Sequence, residues 1–253
     1  SLGVQVLVWR RRTELLDKLK DELDVIVYKS IDEAISQAHA VVIATITSTH
    51  IDLALKAAKM NKAIFIEKPI SDKLIGLNEL LNLVKKNQLV FEVGCQLRSH
   101  PNLQKLHKLI IQGDYGPLYT YRAVVGHRLE NWRPGTDYRE SYSANTLKGG
   151  GALLDLIHEI DLVYWFAGPV EKVVACLSHV SDQEMNTEDL VNMILINSNG
   201  ATGQVQMDML SPDYRRGFDL VYQKAVFCWD YVEGTLTYKK DGLSTVVDQI
   251  PDD

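Results

Sequence analysis

Lys68 is the first residue whose position predicts chemistry. It follows the apolar run Ala63–Ile66, and Glu67 and Pro69 flank it. The run is rich in β-favouring residues and predicts a buried strand. In an open α/β sheet ligands bind outside the carboxyl ends of the strands, so an ammonium group there could polarise a substrate oxygen. The alternative is a solvated Glu–Lys pair that starts a surface loop.

His158 lies in an apolar stretch, Gly149–Gly168, that predicts one helix. On that helix its imidazole shares an arc of about 160° with acidic and large apolar side chains. These are Asp155, Glu159, Asp161, Leu162, Trp165 and Phe166. A histidine beside acids is a candidate general base, and the alternative is a structural histidine. No His-Glu-x-x-His motif or cysteine pair accompanies it, so no metal site is predicted.

A polar and aromatic loop, residues 130–148, precedes this stretch and contains Trp132 and Tyr142. Loops of this length without regular structure are usually functional or disordered. The aromatic and arginine content favours contact with a carbohydrate or a nicotinamide. The alternative is a surface loop with a few anchoring aromatic side chains.

The elements that must position Lys68 alternate between strand and helix. Hydrophobic periodicity and capping residues predict a parallel, doubly wound, Rossmann-type sheet. The run Ala40–Thr45 is expected to be a strand covered on both faces. Ser30 with Glu33 is expected to cap one helix, and Ser71 to cap another at about 73–86. The other predicted elements are strands 4–9, 25–28 and 89–94, and helices 13–23 and 51–60.

The glycine-rich turn that normally binds a pyrophosphate is not in this sequence. No Gly-x-Gly-x-x-Gly occurs, and the first strand runs into Arg10 and Arg11. This strand therefore corresponds to the second strand of a dinucleotide-binding sheet, and a strand–turn–helix unit of roughly 20 to 30 residues is expected to be absent. The alternative is a different α/β fold. Arg10 and Arg11 favour an adenosine 2′-phosphate, and hence NADP over NAD, unless they are simply exposed arginines.

From Cys95 onward the chain becomes β-rich, with strands that follow one another without helices between them. Pro101 suits the first turn of a helix, and Asn199-Gly200 suits a hairpin turn. The sequence thus predicts a truncated dinucleotide-binding domain, 1–94, and a second α/β domain, 95–253, with a mostly antiparallel sheet.

Composition narrows the partners. The 253 residues carry a net charge of −6 and no basic tract, which argues against nucleic acid. No apolar run is long enough to span a membrane, and no signal peptide is recognised. Cys95, Cys176 and Cys228 are widely spaced in apolar stretches and are expected to be reduced core residues. A cytoplasmic protein is therefore expected.

Four spaced motifs together resemble the glucose-fructose oxidoreductase and inositol dehydrogenase (Gfo/Idh/MocA) family. They are "FIEKP" at 65–69, "VVIATITSTH" at 41–50, "GCQLRSHP" at 94–101 and the Gly149–Gly168 stretch. "NWRPGTDYRESYSA" and "NTEDL" are similar to the branch that makes surface-polysaccharide and sialic-acid-like sugars. Ile46 and Ala225 depart from the family pattern, which usually has proline and glycine there.

The resemblance implies an NAD(P)-dependent oxidoreductase acting on a hydroxyl or keto group of a sugar. Lys68 would polarise the reacting oxygen, His158 would be general acid and base, and Asp155 would support it. The cofactor set would be Arg10, Arg11, Thr45, Thr47, His50, Glu67, Lys68 and Gln96. The substrate set would be Arg98, Trp132, Tyr142 and His158. A homo-oligomer through the second-domain sheet is also implied. The alternative is a non-catalytic sugar or nucleotide sensor, or an inactive fragment of this fold.

Overall fold

The structure is a computed structural model in which residues 3–240 and 242–249 are described. The chain divides at Gly94 into two units, which we call unit 1, ending at Gly94, and unit 2, starting at Cys95. No helix in the described ranges combines the length and the apolar character that crossing a bilayer requires.

Unit 1 alternates parallel strands with helices, and this confirms the predicted Rossmann-type fold. Ser30 accepts a hydrogen bond from the backbone N–H of Glu33 at 3.3 Å and caps the second helix, as the sequence predicts. The elements are β1 (Val6–Val8), α1 (Leu16–Glu22), β2 (Val25–Val27), α2 (Ile31–Gln37), β3 (Ala40–Ile43), α3 (His50–Lys59), β4 (Ala63–Ile66), α4 (Leu77–Lys86) and β5 (Phe91–Val93).

The parallel sheet of unit 1 is in two pieces. Strand β1 pairs with β2, while β3, β4 and β5 form a separate three-stranded sheet in that order. In the order 3-2-1-4-5-6 of a dinucleotide-binding sheet, the two pieces correspond to strands 3-2 and 4-5-6. Position 1 is not filled by any strand of the described residues.

Only one face of the three-stranded sheet is covered within the described residues. Ile43, Ile64 and Ile66 pack against α2, α3 and α4. On the opposite face Val42 is 70% exposed, and its register partner Phe65 is 37% exposed. The expectation that the β3 run is covered on both faces is therefore wrong for this part of the chain, because all three helices pack on the same side.

Helix α4 starts later than predicted. The Ser71 hydroxyl accepts a hydrogen bond from the Lys73 N–H at 3.0 Å, but this closes only a local turn. Leu74 and Ile75 are exposed, and the helix starts at Leu77 after Gly76, whose φ is +84°. A left-handed residue interrupts an α-helix, so Ser71 cannot cap one that begins beyond Gly76.

Unit 2 has an eight-stranded sheet of order β13-β12-β11-β10-β6-β9-β8-β7, antiparallel except for the β6–β9 pair. This confirms the predicted mostly antiparallel sheet. The strands are β6 (Leu118–Gly126), β7 (Val170–Ser178), β8 (Leu190–Asn197), β9 (Thr202–Asp208), β10 (Arg215–Tyr222), β11 (Val226–Asp230), β12 (Thr235–Lys240) and β13 (Leu243–Gln249). Gly200, at φ +86°, turns β8 into β9, as the Asn199-Gly200 pair predicts.

Three helices cover one face of this sheet. They are α5 (Pro101–Gln112), α6 (Ala152–Asp155) and α7 (His158–Ala167), and Pro101 is the first residue of α5, as expected. The other face, which we call the open face, carries Arg122, Val174, Cys176, Asn192, Ile194 and Gln204. Cys176 is exposed there, and Cys95 and Cys228 are half-buried, so the expectation of three core cysteines is wrong. All three are free thiols.

Candidate active site

In unit 1, the chain segments that follow β3 and β4 are joined by His50. Its Nδ1 lies 2.8 Å from the carbonyl oxygen of Pro69, and its Nε2 lies 3.0 Å from that of Thr45. The imidazole is only 1% exposed. Both partners are acceptors, so a neutral ring donates to one of them and an imidazolium donates to both. His50 therefore holds the turn that carries Lys68 against the end of β3.

Lys68 and Glu67 follow β4 at its carboxyl end, the edge predicted for ligands. Glu67 accepts a hydrogen bond from the backbone N–H of Lys68 at 3.2 Å, and the Lys68–Pro69 peptide bond is cis. A Cβ on Gly94 would lie 3.0 Å from the Glu67 carboxylate, so the glycine leaves room for that side chain. The strand ends thus bring Thr45, His50, Glu67 and Lys68 into one group.

The remaining predicted cofactor residues are spread over both units. Thr47 is buried, whereas Thr45 is exposed. Arg10 and Arg11 follow the carboxyl end of β1, the position predicted for residues that contact an adenosine ribose. Gln96 belongs to unit 2, where it starts a short 3-10 turn and is exposed.

In unit 2, the stretch Gly149–Gly168 is not one helix. It forms α6, which ends at Asp155, and α7, which starts at His158, with Leu156 and Ile157 between them. Asp155 and His158 are 3% and 4% exposed. The predicted sharing of one continuous helical face is therefore wrong, and the two buried side chains lie at the junction of two helices.

Tyr142, from the predicted loop, donates a hydrogen bond to Asp155. Burial, followed by the charge of Asp155 and this hydrogen bond, raises the pKa of the Tyr142 phenol. Arg133 lies over the Tyr142 ring, 5.6 Å from its centroid. The structure thus brings together a loop tyrosine and the carboxylate three residues before His158, two side chains that the sequence could not place side by side.

Arg98 is bound to helix α7. Its Nε and Nη2 donate to the two Asp161 carboxylate oxygens at 2.8 and 2.7 Å, and its guanidinium lies 5.7 Å from the Trp165 ring centroid. Gln104 donates through Nε2 to the Arg98 carbonyl oxygen. This geometry indicates that Arg98 fixes the 96–99 turn to α7. The substrate contact predicted for Arg98 would be a second role of the same side chain.

Trp132 uses its indole N–H within unit 2. Its Nε1 donates to the His127 carbonyl oxygen at 2.9 Å. The His127 ring in turn lies against Tyr214 at a centroid distance of 5.4 Å. The polar end of Trp132 is therefore bound to the backbone after β6, which leaves its ring for the substrate contact that the sequence predicts.

Two features of this region are missed by the sequence analysis. Glu159, 1% exposed, accepts a hydrogen bond from Arg216 Nε at 2.8 Å, and no local pattern relates residues so distant along the chain. A Cβ on Gly150 would lie 2.2 Å from the Tyr142 carbonyl oxygen. The run of three glycines was the available signal for this close backbone approach.

Comparison with known proteins identifies the fold family. A family model described as "Oxidoreductase family, NAD-binding Rossmann fold" matches residues 4–95, and one described as "GFO/IDH/MocA C-terminal domain" matches residues 103–228. The chain belongs to the Gfo/Idh/MocA family. This confirms the resemblance seen in the four motifs.

Relatives of the Gfo/Idh/MocA chain are longer than it is. Myo-inositol 2-dehydrogenase of Thermotoga maritima is 28% identical over 202 residues, which cover 77% of this chain and 58% of the relative. An uncharacterised oxidoreductase of Streptococcus pneumoniae is 28% identical over 185 residues, which cover 72% of this chain and 49% of the relative. The chain thus spans about half the length of the curated relatives it matches.

Solved structures share the fold. UDP-N-acetylglucosamine 3-dehydrogenase from Acidithiobacillus ferrooxidans superposes with a TM-score of 0.80 at 20% identity, covering 99% of this chain and 76% of that one. A levoglucosan dehydrogenase in complex with NADH superposes with a TM-score of 0.85 at 21% identity, covering 96% of this chain and 70% of that one.

The residues of unit 1 fit one half of a dinucleotide. Thr45 and Thr47 follow β3, and Glu67 and Lys68 follow β4, so hydroxyl, carboxylate and ammonium side chains start from the carboxyl ends of neighbouring strands, which suits a nicotinamide and its ribose. The unfilled strand position lies where the pyrophosphate-binding turn of such a sheet begins. For metals, the described ranges contain no group of three or more His, Cys, Asp or Glu side chains that could hold an ion.

Proposed function

We propose that this chain belongs to an NAD(P)-dependent oxidoreductase that interconverts a hydroxyl and a keto group on a sugar. The observation that carries the proposal is the pair formed by the half-buried Tyr142 and the buried Asp155, at the junction from which His158 begins α7. Burial of polar side chains is costly unless they are hydrogen-bonded, and this hydrogen-bonded pair lies in a chain of an oxidoreductase family. The sugar dehydrogenases among the relatives support this substrate class.

The proposed chemistry needs a base and a cation. When bound, the nicotinamide supplies the acceptor for a hydride. His158 takes the proton from the substrate hydroxyl on an imidazole nitrogen, and Lys68 stabilises the developing negative charge on that oxygen. Asp155 supports the imidazolium that forms, and Tyr142 orients Asp155. Arg98 and Trp132 border the sugar, while Thr45, Thr47, Glu67 and Gln96 bind the nicotinamide half.

We propose NADP as the preferred cofactor because Arg10 and Arg11 follow β1, where a 2′-phosphate would be bound. An acidic residue in that place would favour NAD. The levoglucosan dehydrogenase of similar fold is in complex with NADH, so the preference proposed for this chain rests on these two arginines.

The test is a fluorescence titration with NADPH and NADH. We would titrate the 253-residue chain, and the same chain preceded by a strand, a Gly-x-Gly-x-x-Gly turn and a helix. Binding by the extended chain, with NADPH tighter, is the expected result. Binding by neither chain would favour the non-catalytic sensor, because restoring the missing strand, turn and helix would then not create a dinucleotide site.

We also propose a homo-oligomer in which a second copy covers the open face. Val174 and Ile194 are register partners on this face and are 68% and 47% exposed. Cys176 lies two residues beyond Val174 on the same strand. A covered Cys176 would react slowly with a thiol reagent, and dilution to the monomer would release it. For the compartment we propose the cytosol, because the three cysteines are free thiols.

A further inference from the structure

Three consecutive residues, Asn186–Glu188, bind the backbone on both sides of the Tyr142–Asp155 pair. We call them the clamp segment. On the tyrosine side, the Asn186 N–H donates to the Ala144 carbonyl oxygen at 3.2 Å, and the Thr187 hydroxyl donates to that of Ser143 at 3.2 Å. These acceptors directly follow Tyr142 in the chain, so the clamp segment fixes the backbone that carries the phenol.

On the aspartate side, Glu188 holds the first turn of α6. Its backbone carbonyl accepts from the Ala152 N–H at 3.1 Å, and its carboxylate Oε1 accepts from the Leu153 N–H at 2.9 Å. The first N–H groups of a helix have no partner inside it, and a carboxylate is the acceptor that suits them best. Helix α6 has four residues, of which Asp155 is the last.

Gly151 makes this approach possible. Its φ is +109°, and a Cβ at this position would lie 2.5 Å from Glu188 Oε1. Any other residue would therefore be strained and would also push the carboxylate away from the Leu153 N–H. The glycine and the glutamate act together to start α6 at this point.

We propose that Glu188 is a positioning residue, which sets where Asp155 lies relative to Tyr142 and to His158. The inference rests on the proposed function in so far as His158 is the base. A helix of one turn has little stability of its own. Its orientation therefore depends on the groups that bind its ends, and Glu188 binds the end opposite Asp155.

The test compares three changes at Glu188 with a matched control. Glu188→Gln keeps an oxygen acceptor, Glu188→Asp withdraws the carboxylate, and Glu188→Ala removes it. The control is Asn199→Ala, because the Asn199 Nδ2 donates to the Ala167 carbonyl oxygen at 3.0 Å, at the far end of α7. It removes a hydrogen bond from a helix end without touching α6.

The first readout needs no enzymatic activity. Histidine ring signals are recorded by NMR across a pH series, and His158→Gln assigns the His158 signal. We expect Glu188→Ala to move the His158 signal and its titration midpoint, Glu188→Asp to do so to a smaller extent, and Glu188→Gln and Asn199→Ala to leave both in place. An unmoved His158 signal in Glu188→Ala and Glu188→Asp would overturn the proposal.

The second readout is turnover by the extended, cofactor-binding chain. Misplacement of a catalytic group by about 1 Å can cost about a hundredfold in rate, so we expect kcat to fall roughly tenfold to a hundredfold in Glu188→Ala, with the KM for cofactor unchanged. Equal losses in Glu188→Ala and Asn199→Ala would reduce Glu188 to a general stabilising role. If the parent chain turns over no sugar, the proposed function fails, and the NMR readout still decides the role of Glu188.

Discussion

Arg216 of β10 donates from Nε to the carboxylate of Glu159 at 2.8 Å, and so binds the eight-stranded sheet to the residue that follows His158. The two side chains are 12% and 1% exposed. The Arg216 guanidinium also lies against the Tyr214 and Tyr231 rings, at 5.9 and 6.0 Å from their centroids. The start of α7 is thus bound to the sheet by an ion pair whose carboxylate is buried and whose guanidinium is largely buried.

Breaking this pair from one side is expected to be costly. Arg216→Met leaves the Glu159 charge buried without its cation, and we expect a loss of about 3–5 kcal/mol in the free energy of unfolding by urea. The double change Glu159→Gln with Arg216→Met should recover part of that loss. As a control, Lys224→Met removes the exposed pair with Asp114, and the midpoint should stay in place. Equal urea midpoints for Arg216→Met and Lys224→Met would contradict the prediction.

Gly150→Ala is expected to distort the loop that carries Tyr142. The new Cβ would lie 2.2 Å from the Tyr142 carbonyl oxygen and 2.5 Å from that of Ser143, so backbone has to move. Overpacking of this kind costs about 1–3 kcal/mol, occasionally more. Gly135→Ala is the control: it meets nothing within 4 Å, and its φ of +82° alone should cost about 1 kcal/mol. The prediction fails if both variants unfold at the same urea concentration.

Lys68→Ala and His158→Ala, made in the extended chain, are each expected to lower kcat roughly a hundredfold or more. Each would remove a group to which the proposed function assigns action on the reacting oxygen, so the affinity for NADPH should stay nearly unchanged. Lys59→Ala and His39→Ala provide surface controls of the same residue types. Steady-state kinetics and cofactor fluorescence measure the two quantities separately. Near-normal turnover in both site variants would remove these residues from the mechanism.

Asp208 is expected to make stability depend on pH in the acid range. Burial alone would raise its pKa, but hydrogen bonds from Arg215, from the Ser211 hydroxyl and from the Ser211 and Leu210 backbone lower it below its usual value. Because the folded pKa is depressed, the stabilisation is complete above the unfolded value of about 3.9 and is lost as pH falls through the lower folded value.

Asp208→Asn should therefore be less stable than the parent chain at pH 7 by about 1–3 kcal/mol, and the difference should narrow below about pH 4. Urea unfolding at a series of pH values measures this. Arg215→Met, which keeps the Ser211 hydrogen bonds, should raise the Asp208 pKa and begin the acid loss at a higher pH. A constant difference between Asp208→Asn and the parent chain at every pH would contradict the assignment.

Local signals account for the parts of the fold that the sequence predicted. The Ser30 cap, Pro101 at the start of α5 and the Asn199-Gly200 turn each depend on a few neighbouring residues. The Lys68 position follows from a short apolar strand, whose ending is also a local property. These features could be predicted because distant parts of the chain do not override the local preferences that set them.

Distant contacts account for the parts that could not be predicted. Leu156 and Ile157 continue the helical pattern, yet the helix breaks there, and Glu188 binds the start of α6 from elsewhere in the sequence. The Glu159–Arg216 pair and the Tyr142–Asp155 hydrogen bond join residues that are far apart in the sequence, so no local pattern predicts these contacts. Cys176 is exposed because its strand, β7, lies at the edge of the sheet. The apolar sequence around Cys176 does not show where in the sheet its strand lies.

The uncovered face of β3, β4 and β5 has a consequence for handling the 253-residue chain. Val42 and Phe65 are register neighbours on it, and β3 is an edge strand of that sheet within the described residues. Exposed apolar side chains next to a free strand edge promote aggregation, because another chain can add a strand there and bury them. Low solubility and strong binding of hydrophobic dyes would then arise from this face, and a polar substitution at Val42 would be the simplest remedy.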